Sequence, residues 1–229
     1  MDRRERQRAA TSAEIRDVAR RQLAVTGAAG LSLRAVAREM GLTAPALYRY
    51  YDDRDALLTA LIVDAYRSVV HRMEQARDAL DPDDLAGRIR AAAGAFRDWA
   101  VASPHEFALV FGSPVPGYTA PQDGPTREAG QRFGQVFQEL FTQQWQRAPW
   151  PLPPAGDRTP ELDAVLAVAG AECGGPLPPG AMQMFLSCWA RLHGLISLEV
   201  FGHLAWIGPH DGDALFRAEL TDMLNLIVR

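Results

Sequence analysis

Ser32, Arg34, Thr43, Tyr48, Arg49 and Tyr50 crowd into residues 32–50, and their chemistry is that of gripping a polyanion rather than breaking bonds. Ser32 and Thr43 each open a short helical stretch, where a hydroxyl and free backbone N–H groups can meet a phosphate. Tyr48 and Tyr50 combine a ring that packs with a hydroxyl that reaches a phosphate oxygen. Arg34 and Arg49 suit base edges, because one guanidinium can bond guanine O6 and N7 together. Ala44 and Pro45, beside Ala46, offer only apolar contact such as that to a thymine methyl, so specificity there rests on few residues and on DNA shape.

An enzyme is excluded as the leading reading. No phosphate-cradling glycine loop, nucleophile elbow or His-Glu-x-x-His occurs. Glu199 and His203, spaced i and i+4, could supply half a metal site, but no second helical pair matches them. No catalytic residue, cofactor or metal is therefore expected.

The charge distribution supports a polyanionic partner. Every basic residue is arginine, 24 in all against 28 acids. Residues 1–50 hold ten arginines against five acids, a net of +5, whereas residues 51–229 hold fourteen against twenty-three, a net of −9. A basic end on an acidic body directs nucleic acid to one segment and repels it elsewhere.

Cys173 and Cys188 stand fifteen positions apart with no CxxC pairing, which indicates neither zinc nor a disulfide framework and fits a reducing cytoplasm. No apolar stretch follows Arg3, Arg4, Arg6 and Arg8, so a secretory signal is not expected. The most apolar run, residues 192–207, is broken by His193, Glu199 and His203 and is too short to span a bilayer.

The elements that must position these residues read as helices throughout, since apolar positions recur at helical spacing and no run alternates as a strand does. The spacing predicts a first helix from a Thr11-x-x-Glu14 capping box, burying Ile15, Val18, Ala19 and Gln22 or Leu23 and ending before Gly27. A second carries Leu33, Val36, Ala37 and Met40 and stops at Gly41; a third covers about 43–50, with Pro45 in its first turn. A long helix capped by Asp52 and Asp53 then runs to about 81–82. Further helices are expected at about 83–102, 104–112, 125–147, 160–172, 180–205 and 212–228, with proline-rich loops at 112–125, 148–160 and 174–180.

Two short helices joined through Gly41-Leu42-Thr43 have the outline of a helix-turn-helix. The run over residues 31–51, ending Leu47-Tyr48-Arg49-Tyr50-Tyr51, followed by Arg54-Asp55-Ala56-Leu57-Leu58, closely resembles the N-terminal domain of the tetracycline-repressor (TetR) family, over about residues 12–62. The element from Trp189 to Glu199, with His193-Gly194, resembles the Trp-His-Gly subgroup of C-terminal domains in that family. The resemblance implies that Tyr48, Tyr50 and Arg54 touch the DNA backbone, and that Leu47 and Tyr51 are core. Arg16, Arg20 and Arg38 either solvate outer faces or touch DNA.

The implied fold is all-α: a three-helix DNA-binding domain over residues 1–58, with residues 1–10 as a flexible basic arm, and a larger helical effector-binding and dimerisation domain over residues 59–229. One such module reads few base pairs, so a homodimer on a near-palindromic double-stranded operator is expected. The family usually dimerises through its last two helices, which makes the stripe Phe216, Leu220, Met223, Leu224 and Ile227 the candidate interface, unless it packs on its own chain. Phe96, Trp99, Phe107, Phe111, Phe137, Trp145, Trp189 and His193 either line a pocket for an apolar or aromatic effector or form plain core. The functional expectation is a cytoplasmic repressor released from DNA by a small molecule. The alternative is a DNA- or partner-binding regulator that takes no ligand.

Overall fold

The computed structural model describes residues 2–152, 154, 156, 158–172, 177–208 and 212–228, without the side chains of Ala171 and Glu172. Cys173 lies outside these residues. The helices are α1 (Arg3–Thr26), α2 (Leu33–Glu39), α3 (Ala44–Tyr48), α4 (Arg54–Asp78), α5 (Leu85–Ala102), α6 (Pro104–Phe111), α7 (Pro125–Arg147), α8 (Pro160–Glu172), α9 (Pro179–Val200) and α10 (Gly212–Ile227). Short 3-10 turns stand at Ala28–Gly30 and Ala205–Ile207. No strand occurs among the described residues, so the all-α expectation holds.

The beginning of α1 corrects the expected flexible arm over residues 1–10. Asp2 is the N-cap: its side chain accepts from the Arg4 N–H, and its own N–H donates to Glu5 at 2.8 Å. Residues 3–10 are all Arg, Glu, Gln and Ala, strong helix formers with no Gly or Pro among them, so the helix propagates unbroken into the amphipathic part. Thr11 does not cap. Its hydroxyl donates back to the Gln7 carbonyl at 3.1 Å, as a threonine inside a helix does.

The chain divides into two compact units, one of residues 1–67 with 103–129 and one of residues 68–102 with 130–229. This differs from a single cut after residue 58, because Leu109 of α6 and, beyond it, Val115 and Tyr118 pack on the core beneath α1–α3. The first unit buries Ile15, Val18, Ala19 and Leu23 of α1 against Leu33, Val36 and Ala37 of α2, Leu47 of α3, and Leu57, Leu58 and Leu61 of α4. Each buried Val, Leu or Ile among them contributes roughly 1.5–3 kcal/mol on leaving water.

Two arginines of α1 extend that apolar joint. Arg16 stands 2.6 Å from the Asp64 carboxylate of α4, and Arg20 bonds the same carboxylate at 2.9 Å and faces Glu106 of α6 at 3.2 Å.

In the second unit α5, α7, α9 and α10 close around Phe96, Trp99, Phe133, Phe137, Met182 and Ile196, all buried. Arg97 fastens α5 to the helices behind it. Its guanidinium bonds both Glu199 oxygens at 2.6 and 2.7 Å and Asp213 at 3.0 Å, and it lies over the Phe216 ring. Glu199 is thus an ion-pair acceptor. No group of three or more possible metal ligands occurs among the described residues. α9 ends at Val200, short of the expected 205, because Gly202 adopts φ +74° and the His203 N–H returns to the Leu198 carbonyl at 2.8 Å.

Candidate nucleic-acid interface

The turn between α2 and α3 is built by Gly41, whose φ of +65° lies in the left-handed region. Its N–H bonds the Arg38 carbonyl at 3.2 Å, and the Leu42 N–H reaches back to Ala37 at 2.9 Å, the paired closure of a glycine-ended helix. Leu47 is fully buried and seats α3 on the core, which turns Tyr48 and Arg49 outward. Tyr51, 8% exposed, anchors the far end: its hydroxyl pairs with Ser12 at 3.0 Å and accepts from Arg16 at 3.1 Å.

The expected DNA-contacting residues fall into two groups. Arg34, Thr43, Pro45, Tyr48 and Arg49 are exposed; Ser32, Ala44, Tyr50 and Arg54 are half-buried. Ser32 caps α2, accepting from the Ala35 N–H, while Thr43 precedes α3 without a side-chain cap bond. Tyr50 packs partly on the core. Arg54 departs from the expectation. Its guanidinium donates to the Ala28 carbonyl at 2.9 Å and sits 3.6 Å from Asp55, so it is already engaged within the unit. Asp53 caps α4 by accepting from the Ala56 N–H at 2.7 Å, which accounts for an acid at that place.

The arginines of the first unit are sorted by partner. Arg16 and Arg20 pair with Asp64, and Arg21 pairs with Glu39 at 3.0 Å. Arg34, Arg38 and Arg49 are exposed and form no ion pair among the described residues. Arg8 reaches the Arg49 carbonyl at 3.4 Å, which brings the basic first turns of α1 beside the end of α3. The unbroken helix-forming run after Asp2 is the sequence signal for that placement.

Two expectations for the second half are corrected. The stripe Phe216, Leu220, Met223, Leu224 and Ile227 is 2–4% exposed within its own chain, because α10 turns that face onto α9 and its neighbours. It is core and is not available to a partner. The aromatic set is not one pocket either. Phe107 and Phe111 belong to the first unit, in contact with each other at 5.3 Å, and Trp145 stands against Trp150 at 4.8 Å. Phe96, Trp99, Phe137, Trp189 and His193 cluster with Phe133, with Trp189 central at 5.5 Å from Phe133 and 5.2 Å from His193. The cavity beside them, lined by Phe137 and Trp189, measures about 30 Å³, room for little more than a water. Cys188 on the same wall is buried, and that burial pushes its thiol up to about 11.

Residues 15–61 match the family profile described as bacterial regulatory proteins, tetR family, and residues 89–223 match the one described as tetracyclin repressor-like, C-terminal domain. The chain belongs to the TetR family. The HTH-type transcriptional regulator Rv1816 of Mycobacterium tuberculosis is 38% identical over 201 residues, covering 83% of this chain and 80% of that protein, and Mb1846 of Mycobacterium bovis matches equally. Among solved structures, that of the regulatory protein SCO4313 superimposes with a TM-score of 0.79 at 38% identity over 98% of this chain and 100% of that one. The TetR family regulator PfmR of Thermus thermophilus, at 13% identity and a TM-score of 0.62 over 94% of this chain and 99% of that one, shares the fold. This TetR-family chain is accordingly a DNA-binding transcriptional regulator with a helix-turn-helix.

Proposed function

We propose that this regulator is a repressor that holds a near-palindromic double-stranded operator as a homodimer and lets go when a small molecule of apolar or aromatic character binds. The observation that carries the DNA-binding part is the sorting of arginines. Where α1 packs on α4 and α6 the guanidinium groups are neutralised by carboxylates, and around α2 and α3 they are exposed and uncompensated. Exposed guanidinium groups beside a protruding short helix bind phosphates at little desolvation cost and read guanine edges.

In this reading Arg34 and Arg49 contact bases, while Ser32, Thr43, Tyr48 and Tyr50 contact phosphates. Arg38 and Arg8 extend the phosphate track, and Ala44 and Pro45 supply apolar contact. Arg54 acts by positioning the frame. Dimerisation falls to surfaces other than the α10 stripe. The exposed stripe Leu162, Val165 and Val168 along α8 has the spacing and the apolar character for it. No helix among the described residues is long and apolar enough to cross a membrane, in keeping with action on cytoplasmic DNA. The closed aromatic cluster favours a second reading in which the second unit takes no ligand.

Selection of bound duplexes from random DNA tests the proposal. A near-palindrome is the expected product, and recovery of no preferred sequence would overturn it. On the selected duplex, Arg34→Ala and Arg49→Ala should each relax specificity at a cost of about 1–3 kcal/mol, whereas Arg38→Ala should weaken all sequences alike and lower the slope of log affinity against log salt by about one.

A further inference from the structure

The side of α1 that packs on the first unit changes character part-way along the helix. From Ile15 through Val18 and Ala19 to Leu23 it is apolar and buried. One turn earlier Thr11 and Ser12 are half-buried, and residues 2–10 are exposed. Arg8 and Arg4 precede Ile15 by about two and three turns at 3.6 residues per turn, so both continue its core-facing side. That side therefore runs past the edge of the packed core with guanidinium groups in place of aliphatic ones. Arg8 shows where it comes to lie, because its guanidinium donates to the carbonyl of Arg49, the C-cap of α3, at 3.4 Å. The two acids of the segment are committed to the capping box: Asp2 accepts from the Arg4 N–H, and Glu5 accepts from the Asp2 N–H at 2.8 Å. Arg4 and Arg8 form no ion pair among the described residues, whereas farther along the same helix Arg16 and Arg20 share Asp64 and Arg21 pairs with Glu39. Cations gathered beside the exposed Arg49 without acids repel one another, and anions set among them relieve that repulsion.

We propose that the exposed beginning of α1, residues 3–10, is a second DNA-contacting element: a preformed helical arm on which Arg4 and Arg8 bind backbone phosphates outside the base pairs that α3 reads. This role rests on the DNA-binding reading above and carries it past the helix-turn-helix. From Asp2 to Thr11 the helix spans about 14 Å at 1.5 Å per residue, long enough to pass over a minor groove about 6 Å wide and reach phosphates beyond it. Phosphate contacts add affinity and salt dependence without reading sequence, so the arm lengthens the stretch of duplex held and leaves base preference to α3. Because the arm is already helical, DNA has no tail to order, and the entropy cost of folding on binding is avoided.

The double variant Arg4→Gln/Arg8→Gln tests the arm. Both side chains are exposed and glutamine keeps the helix propensity, so the variant folds while losing the two charges. Affinity is measured by fluorescence anisotropy on the selected duplex with flanks of about one helical turn, 10 base pairs, on each side, and on the same duplex trimmed of its flanks. Trimming should weaken the wild type about tenfold or more, whereas the double variant should bind the flanked duplex that weakly already and lose little more on trimming. On the flanked duplex its slope of log affinity against log salt should fall by about two for each protomer bound, with the order of preference among sequences unchanged. Arg72→Gln/Arg90→Gln removes the same charge from exposed positions of the second unit and should behave as the wild type. An equal loss on trimming in wild type and double variant, an unchanged salt slope, or a loss that the Arg72→Gln/Arg90→Gln control matches overturns the arm. If selection returns no preferred sequence, both proteins are compared on a duplex of mixed sequence. Wild-type binding that the double variant matches then overturns the arm alone, weaker binding by the double variant supports it, and no wild-type binding overturns the DNA-binding reading with it.

Discussion

The Arg54 guanidinium donates to the Ala28 carbonyl oxygen at 2.9 Å, tying the first turn of α4 to the 3-10 turn that follows α1. A residue that resemblance assigns to the DNA backbone is thereby a brace of the protein's own frame. Its charge still adds to the local field, while the N–H groups of one terminal nitrogen hold the first turn of α4 to the turn after α1.

Arg54→Ala should therefore lower stability by about 1–2 kcal/mol, the worth of a half-buried hydrogen bond from a charged donor. Thermal denaturation without DNA checks this. An unchanged melting temperature with weakened DNA binding would restore the direct phosphate role.

Gly41→Ala isolates the backbone requirement of the turn. A methyl group there meets nothing within 4 Å, so only the φ of +65° opposes it. The expected loss is about 1–2 kcal/mol, read from chemical denaturation, and a neutral result would mean that the turn relaxes to another conformation.

Leu220→Ala and Val165→Asp separate core from interface. Leu220 is 4% exposed within one chain, and its truncation should cost about 2–5 kcal/mol of stability. Val165 is 63% exposed on α8, and its change to aspartate should shift sedimentation toward monomer while leaving the fold intact. Dissociation by Leu220→Ala without loss of stability would return the interface to α10.

His193 supplies a pH dependence. Burial lowers its pKa below the ordinary 6.5, so the unfolded chain binds the proton more readily than the folded one. Its contribution is fully present above the unfolded pKa and is lost as pH falls through and below that value. Melting temperatures between pH 7.5 and pH 5 should fall more steeply for the wild type than for His193→Gln, and parallel curves would contradict the shift.

The sequence by itself determined the helices and the place of the reading head. Leu33, Val36 and Leu47 mark the buried face of α2 and α3 by spacing alone, Gly41 marks the turn, and a local surplus of arginine marks the side that faces a polyanion. These signals survive because helix periodicity and turn chemistry act over a few residues.

Tertiary structure alone decided which partner each group took. Asp64 and Glu106 lie far along the chain from Arg16 and Arg20, and no spacing rule joins them. An apolar stripe such as that of α10 declares that a face will be buried without saying by which chain, and here its own chain covers it. The open space at Tyr66, Tyr118 and Arg127 is assembled from α4, α6, the first turn of α7 and the proline-rich loop between α6 and α7. Space between elements is a property of their packing, and a sequence that encodes each element locally carries no local mark of the gap they leave.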